Sequence, residues 1–477
     1  MTTTTDTTAD TTADIASPTA APTNTALGNS AASRDIASVL HPYTNFTTHE
    51  KTGPMVITKG NGIYVTDDNG RDYIEGMAGL WCTSLGFSEK RLVAAATKQL
   101  ETLPFYHHFA SRSTNPTIDL AAKLLELAPV PMSKVFFANS GSEATDSAIK
   151  MVWYYHNAIG QPEKKKIISR KRGYHGVTVA SASLTGLPGN HKLFDLPIDR
   201  ILHTETPHFW REAQPYETEE DFATRMAESL EDLIQAEGPE TVAAFIAEPI
   251  MGAGGVVVPP RTYFDKIQEV LNRYDILFIA DEVICGFGRT GRMFGTETFR
   301  LKPDMITVAK QLSSAYQPIS ALFINEKIYQ ALKKGADEVG AFGHGFTYSG
   351  HPVAAAVALE TLKIYEEDGI VDHVRHVMGH FQQRLRDLSK FENVGETRGK
   401  GLIGAFELVA DKCAKTPFTP VGWAGKAVAE LCLKEGVILR ALGDSVAICP
   451  PLIITDPQID AMFDGVEAAL TKWHKAI

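Results

Sequence analysis

The sequence predicts an α/β fold: a large domain on a mostly parallel sheet, followed by a smaller α+β domain. Two observations lead there. Short apolar runs recur through the middle of the chain, at Val135-Phe136-Phe137, Lys166-Ile167-Ile168, Ala243–Ile246, Ile276–Ala280, Met305–Val308 and Ala321–Ile324, with helix-like stretches such as 220–236 and 262–273 between many of them. Near residue 350 the pattern changes, and helix-like segments 353–367 and 371–390 lead into strands around 401–408 and 437–449.

Taken in order, residues 1–33 are mostly Thr, Ala, Asp, Ser and Pro, too poor in apolar side chains to fold alone, and read as a disordered, solvated tail. The first basic residue is Arg34, so the tail has neither the basic start and apolar core of a secretory signal nor the arginines of a transit peptide. Residues 34–75 form an N-terminal segment expected to pack with the small domain. Within it, Gly62–Ile74 reads as a hairpin with Asn69-Gly70 at its turn. The large domain is expected over 76–345 and the small domain over 346–477. A chain of 477 residues can bury a sizeable core.

Composition narrows the function. Hydrophobic content of 44% and charged content of 22% are those of an ordinary globular protein. A net charge of -11 argues against non-specific nucleic-acid binding, which needs a basic surface. No apolar stretch has the length of a membrane span. The five cysteines are scattered, with no C-x-x-C, and read as reduced thiols of a cytoplasmic protein. No P-loop and no paired-histidine metal signature is present.

In open α/β sheets, ligands bind beyond the carboxyl ends of the strands, so the residues after each apolar run carry the functional reading. After Phe137-Ala138 comes Asn139-Ser140-Gly141-Ser142-Glu143-Ala144 and a helix-like stretch to about residue 158. Free N–H groups and the helix dipole make such a start a phosphate site, although Ser140 or Ser142 would cap the helix in any case. The run ending at Ala247 is followed by Glu248-Pro249, and the run ending at Ala280 by Asp281-Glu282-Val283. A carboxylate at a buried strand end calls for a cation or hydrogen-bond donors, and Asp281 could equally cap a turn or pair with Arg289 or Arg292. After Ile168-Ser169 the glycines of Gly173-Tyr174-His175-Gly176 imply a tight turn that presents an aromatic pair or lies exposed. The run Met305–Ala309 ends on Lys310. A desolvated lysine is a nucleophile, whereas one that snorkels to the surface is not.

A phosphate cradle, an aromatic ring, a carboxylate and a lysine at one sheet edge match the phosphate, ring, ring nitrogen and aldehyde of pyridoxal 5'-phosphate. At this point the chain resembles the class III pyridoxal-phosphate aminotransferases, in the ω-transaminase (amine:pyruvate) group. The resemblance covers about residues 34–477 and is carried by Ser140–Ala144, Gly173–Gly176, Glu248-Pro249, Asp281-Glu282-Val283 and Ala309-Lys310, in that order. It implies fold type I, with helices on both faces of the large-domain sheet. It implies that Lys310 holds the cofactor as a Schiff base and shuttles the proton, and that Asp281 keeps the ring nitrogen protonated. Tyr174 would stack on the ring, with Val283 packed nearby and Glu248 hydrogen-bonded close to it. Ser140, Gly141 and Ser142 would bind the phosphate, and Thr347 would reach it from a partner subunit. The assembly implied is a homodimer or dimer of dimers with active sites at the subunit interface.

The same resemblance places Trp81, Phe109 and Tyr43 around the substrate, and makes Arg440 a mobile binder of the acceptor carboxylate. Read without it, Trp81 is a core aromatic and Arg440 a surface ion pair. The expected reaction is a ping-pong transamination from a primary amine or ω-amino acid to a keto acid, pyruvate. An aminomutase on the same scaffold or a non-catalytic cofactor-binding relative are the alternatives. Two departures from the family stand out: Gln311 and Ala315 occupy positions where glycine is common, and both stiffen or crowd the loop after the lysine. Gly399–Gly404 fits G-x-G-x-x-G, but its glycines precede an apolar run, so it reads as a tight turn into a strand.

Overall fold

The computed structural model describes residues 28–476. The tail reading of residues 1–27 lies outside the described residues. Residues 31–33 open a helix, α1 (Ala31–Ser38), capped by the Ser30 hydroxyl, so the described chain is helical inside the stretch read as tail. The chain divides into two compact units, one of residues up to 58 with 66–71, the other of 59–65 with 72 onward. In the first, α1 and α2 (Phe46–Thr52) bury no side chain. The Asp35 carboxylate accepts hydrogen bonds from His41 (2.8 Å) and His49 (3.0 Å). The hairpin turn expected at Asn69-Gly70 is present: the Asp67 carboxylate accepts from the N–H groups of Asn69 and Arg71, both at 2.9 Å. Gly70 stands at φ +81°, where a side chain would be strained.

The second unit is built on a seven-stranded sheet. Its strands are β1 (Lys134–Ala138), β2 (Lys166–Arg170), β3 (Ile201–Thr204), β4 (Val242–Ala247), β5 (Leu277–Asp281), β6 (Met305–Val308) and β7 (Ser320–Ile324). Their order is β1-β7-β6-β5-β4-β2-β3. Six strands run in one direction, and β7 is antiparallel to both neighbours, β1 and β6. The six apolar runs of the sequence are six of these strands: β2, β4, β5, β6 and β7 are central, covered on both faces and free of polar alternation, and β1 is an edge strand. Strand β4 is buried at all six positions. The edge strand β3 was not expected. Its Ile-Leu-His-Thr has two apolar residues and partly exposed middle positions, so it carries no run to read.

The expected helices are found at Glu219–Glu237, Tyr263–Arg273, Pro352–Glu367 and Ile370–Asp387. A four-stranded antiparallel sheet follows, in the order 394–400, 403–408, 445–448, 440–442. The Gly399–Gly404 stretch is its first hairpin: Lys400 pairs with Ile403, and Gly401 stands at φ +63°. The stretch 437–449, expected as one strand, is three short ones. Val437–Ile438 pairs instead with Ile74 and Glu75, so the end of the N-terminal segment joins the C-terminal part of the chain through a parallel pair. The seven-stranded sheet lies before residue 345 and the four-stranded sheet after it. Both nonetheless belong to one compact unit and share one continuous core, from Ile63 through Phe245 and Phe406 to Trp473.

Candidate active site

All six co-directional strands release their chains at one edge of the large sheet, and there a cavity of about 380 Å³ opens. Its walls include Ser140, Gly141, Ser142, Tyr174, His175, Glu248, Asp281, Val283 and Lys310. Eight of these nine residues belong to the expected cofactor-binding set of nine, whose other member, Thr347, is not in this wall, and His175 is new.

The helix α3 (Gly141–Ala158) starts at this edge. The Ser140 hydroxyl accepts from Glu143 N–H (3.2 Å) as its cap, and the N–H groups of Gly141 and Ser142 precede the first intrahelical bond. The cap reading of this stretch is met by the Ser140 side chain, and the backbone N–H groups of Gly141 and Ser142 stay compatible with a phosphate. A Cβ on Gly141 would press on Val283 at 3.2 Å. Gly176, at φ +138°, closes the opposite side, and a Cβ there would overlap the hydroxyls of Ser142 and Ser181. Backbone comes this near only because both residues are glycine, and the space left suits a phosphate.

Asp281 ends β5 with 4% of its surface exposed. Its partner is neither Arg289 nor Arg292. One carboxylate oxygen accepts from His175 Nδ1 at 2.7 Å, the other from Val283 N–H at 3.1 Å. The histidine was visible in the sequence as half of the Tyr174-His175 pair. Nothing in the spacing showed that the turn after β2 would fold it under β5. Glu248, also buried, accepts from Tyr174 N–H (2.9 Å) and Gly252 N–H (2.8 Å). Burial, with Asp281 close by, raises its pKa. Behind it lies the fully buried Arg170, whose Nη2 donates to the Glu248 carbonyl at 2.6 Å.

Lys310 follows β6 and faces this cluster. Burial lowers its pKa, and the Asp281 carboxylate partly opposes the shift. Its backbone is left-handed (φ +48°), as are Ser314 (φ +48°) and Ala315 (φ +64°), so the loop departing from the family is held in a sterically costly form.

The other expected residues stand elsewhere. Trp81 is buried in an apolar cluster with Met77, Ile250 and Cys285, the core position of the alternative reading. Ile284 belongs to that cluster and also to the cavity wall. Phe109 is half exposed and lines a separate cavity of about 510 Å³ with Phe136, Phe342 and His344. Arg440 lies on the strand Arg440–Leu442, and among the described residues its guanidinium forms no ion pair, unlike the surface pair of the alternative reading. Thr347 is exposed on the loop after residue 340 and is absent from the cavity of its own chain. Tyr43 is exposed and belongs to the N-terminal unit, which is described separately.

The model of the family described as "Aminotransferase class-III" matches residues 46–470. The chain belongs to the class III aminotransferases. This aminotransferase is 52% identical over 444 residues to a γ-aminobutyrate transaminase 3 (chloroplastic) of Solanum lycopersicum, covering 92% of this chain and 85% of the relative. It is also 52% identical over 426 residues to a vanillin aminotransferase of Capsicum annuum, covering 89% and 93%. Among solved structures it is similar to the ω-transaminase of Pseudomonas jessenii in complex with PMP, with a TM-score of 0.93, 55% identity, and coverage of 94% and 99%. It is an enzyme of fold type I that uses pyridoxal phosphate. The glycine-lined helix start, the buried aspartate and the desolvated lysine fit the phosphate, ring nitrogen and aldehyde of that cofactor.

Proposed function

We propose that this aminotransferase moves an amino group from a primary amine or ω-amino acid to a keto acid, pyruvate, in a ping-pong reaction centred on Lys310. The observation that carries the reading is the meeting of Lys310, Asp281 and the start of α3 around one cavity. When bound, the cofactor supplies an aldehyde that captures amines and a ring that accepts electrons.

The chain's own residues supply the rest. Burial lowers the pKa of Lys310, which favours the unprotonated Nζ for attack and suits it to take a proton from the substrate carbon and return it. Asp281, fixed by His175 and Val283, would hold the cofactor's ring nitrogen. Gly141 and Ser142 would bind its phosphate through backbone N–H groups. Tyr174, whose N–H is anchored on Glu248, would pack against its ring. Arg440, without an ion-pair partner, is available to a substrate carboxylate, which favours a keto acid in one half-reaction. Relatives named for γ-aminobutyrate and for vanillin support a donor range that takes in ω-amino acids and arylalkyl amines.

The reading extends to a homodimer or dimer of dimers in which Thr347 reaches the partner's phosphate. Its exposure, beside the exposed aromatics Phe105 and Tyr348 whose rings meet at 5.7 Å, supports a covered face there. A cytoplasmic location is supported by the five unpaired cysteines, and cell fractionation tests it.

Borohydride treatment of the loaded protein followed by peptide mass analysis tests the attachment. The expected result is a cofactor adduct on the Lys310 peptide and no turnover by Lys310→Ala. Parent-like turnover in that variant would sink the proposal. A donor panel run with pyruvate and then 2-oxoglutarate settles the substrates. Rapid turnover with 2-oxoglutarate alone would overturn the choice of acceptor.

A further inference from the structure

Gln311 stands directly after the lysine, where the family often has glycine, and its side chain is fully buried. Its amide is used at each polar atom. Nε2 donates to the carbonyls of Ile284 and Gly286, both at 2.8 Å, and Oε1 accepts from Arg289 Nη2 at 3.2 Å. Arg289 is fully buried too, and no carboxylate pairs with it among the described residues. Its Nη1 donates to the carbonyls of Leu402 (3.0 Å) and Pro450 (2.6 Å). Two side chains thus gather four stretches: the loop that leaves Asp281, the loop that carries Lys310, the first hairpin turn of the C-terminal sheet, and the chain that leaves its strand 445–448.

Their position relative to the ladder gives this meaning. Strands β5 and β6 pair as far as Asp281 opposite Thr307, with one further bond from Glu282 N–H to Thr307 O at 2.9 Å. Beyond that point the two chains diverge around the cavity. Among the described residues, the hydrogen bonds between them from there on are those of Gln311. The ladder therefore fixes where Asp281 and Lys310 leave the sheet, and the Gln311 amide fixes how far apart their loops stand. Lys310 also needs such a hold. A left-handed lysine is sterically costly and persists only where neighbours over-determine it. An amide suits the place because it donates twice and accepts once. A carboxylate would offer no donors to two carbonyls, and an alkyl chain would leave both carbonyls and a buried guanidinium unsatisfied.

We propose that Gln311 is a positioning residue of this aminotransferase: its amide sets the Lys310 amine relative to the Asp281 carboxylate, and Arg289 ties that setting to the sheet that carries Arg440. The inference rests on the reading of Lys310 and Asp281 given above.

The test uses the loaded full-length enzyme, its Gln311→Met variant, which keeps volume and loses the hydrogen bonds, and Gln311→Glu, which keeps shape and loses both donors. Three quantities are measured: the pH midpoint of the absorbance of the lysine-bound cofactor, kcat and KM for one amine, and the thermal midpoint. The expected result for Gln311→Met is a cofactor still fixed to Lys310 by borohydride, a displaced pH midpoint, and kcat about 100-fold lower with KM within about threefold. A parent-like pH midpoint and kcat, whatever the thermal midpoint, would overturn the proposal and leave Gln311 a packing residue. If Gln311→Met fails to fold, Gln311→Glu is read against the same two outcomes. Failure of the parent itself to fix cofactor at Lys310 would count against the functional reading and not against the placement of Gln311, which apo-state amide exchange of the lysine loop in parent and variant reports separately: faster exchange in the variant is expected, and unchanged exchange would overturn the hold.

Discussion

An amine that attacks carbonyls near neutral pH has to shed a proton that free lysine keeps to about pH 10.4. At Lys310 burial shifts the pKa in that direction, and Asp281 partly opposes the shift. Asp281 in turn depends on His175. Replacing His175 with Leu leaves a buried carboxylate oxygen short of its donor, which costs about 1–3 kcal/mol. The expected outcome is a folded protein with a lower thermal midpoint and kcat reduced at least tenfold, measured by calorimetry and steady-state kinetics. Glu75 offers a second test. Burial pushes its carboxyl up to about 7 from 4.5, against hydrogen bonds from the Gly79 and Met77 N–H groups. The folded state therefore holds a proton that the unfolded chain releases. Stability is greatest below the unfolded pKa and falls as pH rises from about 4.5 to about 7, by a few kcal/mol at most. Glu75→Gln removes this proton, so the difference in stability between parent and variant should grow in the variant's favour across that window and level off above it. Denaturant titrations at three pH values measure it.

At the scale of elements, the six runs were legible because each strand is apolar on both faces, and the helix after β1 because Ser140 caps it. The edge strand β3 and the broken stretch 437–449 were not, since neither presents a run or an alternation to read. Lys310, Asp281 and the Ser-Gly-Ser start could be named from strand ends alone. His175 could not, because its role comes from a turn packing beneath a strand more than a hundred residues away. Nor could the purpose of Gln311, which a sequence shows only as a missing glycine. The turn after β2 and the lysine loop carry opposite predictions. Gly176→Ala adds a methyl where φ is +138° and two hydroxyls already stand, so cofactor affinity should fall at least tenfold in an equilibrium titration. Ala315→Gly relieves a left-handed alanine, φ +64°, and should raise stability by up to about 1 kcal/mol in a denaturant titration.

The molecule as a whole leaves Phe105, Tyr106, Phe109 and Tyr348 exposed in one neighbourhood, where the rings of Phe105 and Tyr348 already meet edge-on. Light scattering should give at least twice the chain mass of 52.0 kDa. The double variant Phe109→Glu, Tyr348→Glu should shift the population toward monomer and lose activity with it. A monomeric parent with full activity would exclude the shared site. The seven-stranded sheet holds one more consequence, in its lone reversed strand. Because β7 runs against β6, the chain that leaves the sheet at Lys310 re-enters it at Ser320 on the same edge, and the Ser320 hydroxyl then donates to the Ser140 carbonyl at 2.7 Å. The lysine thus opens a single 3₁₀ turn, Lys310–Ser313, on an arch with both feet planted. Evolution can remodel Ala315, Gln317 and Pro318 at the crown of that arch, which line the cavity, while the footing that aims the amine stays where it is.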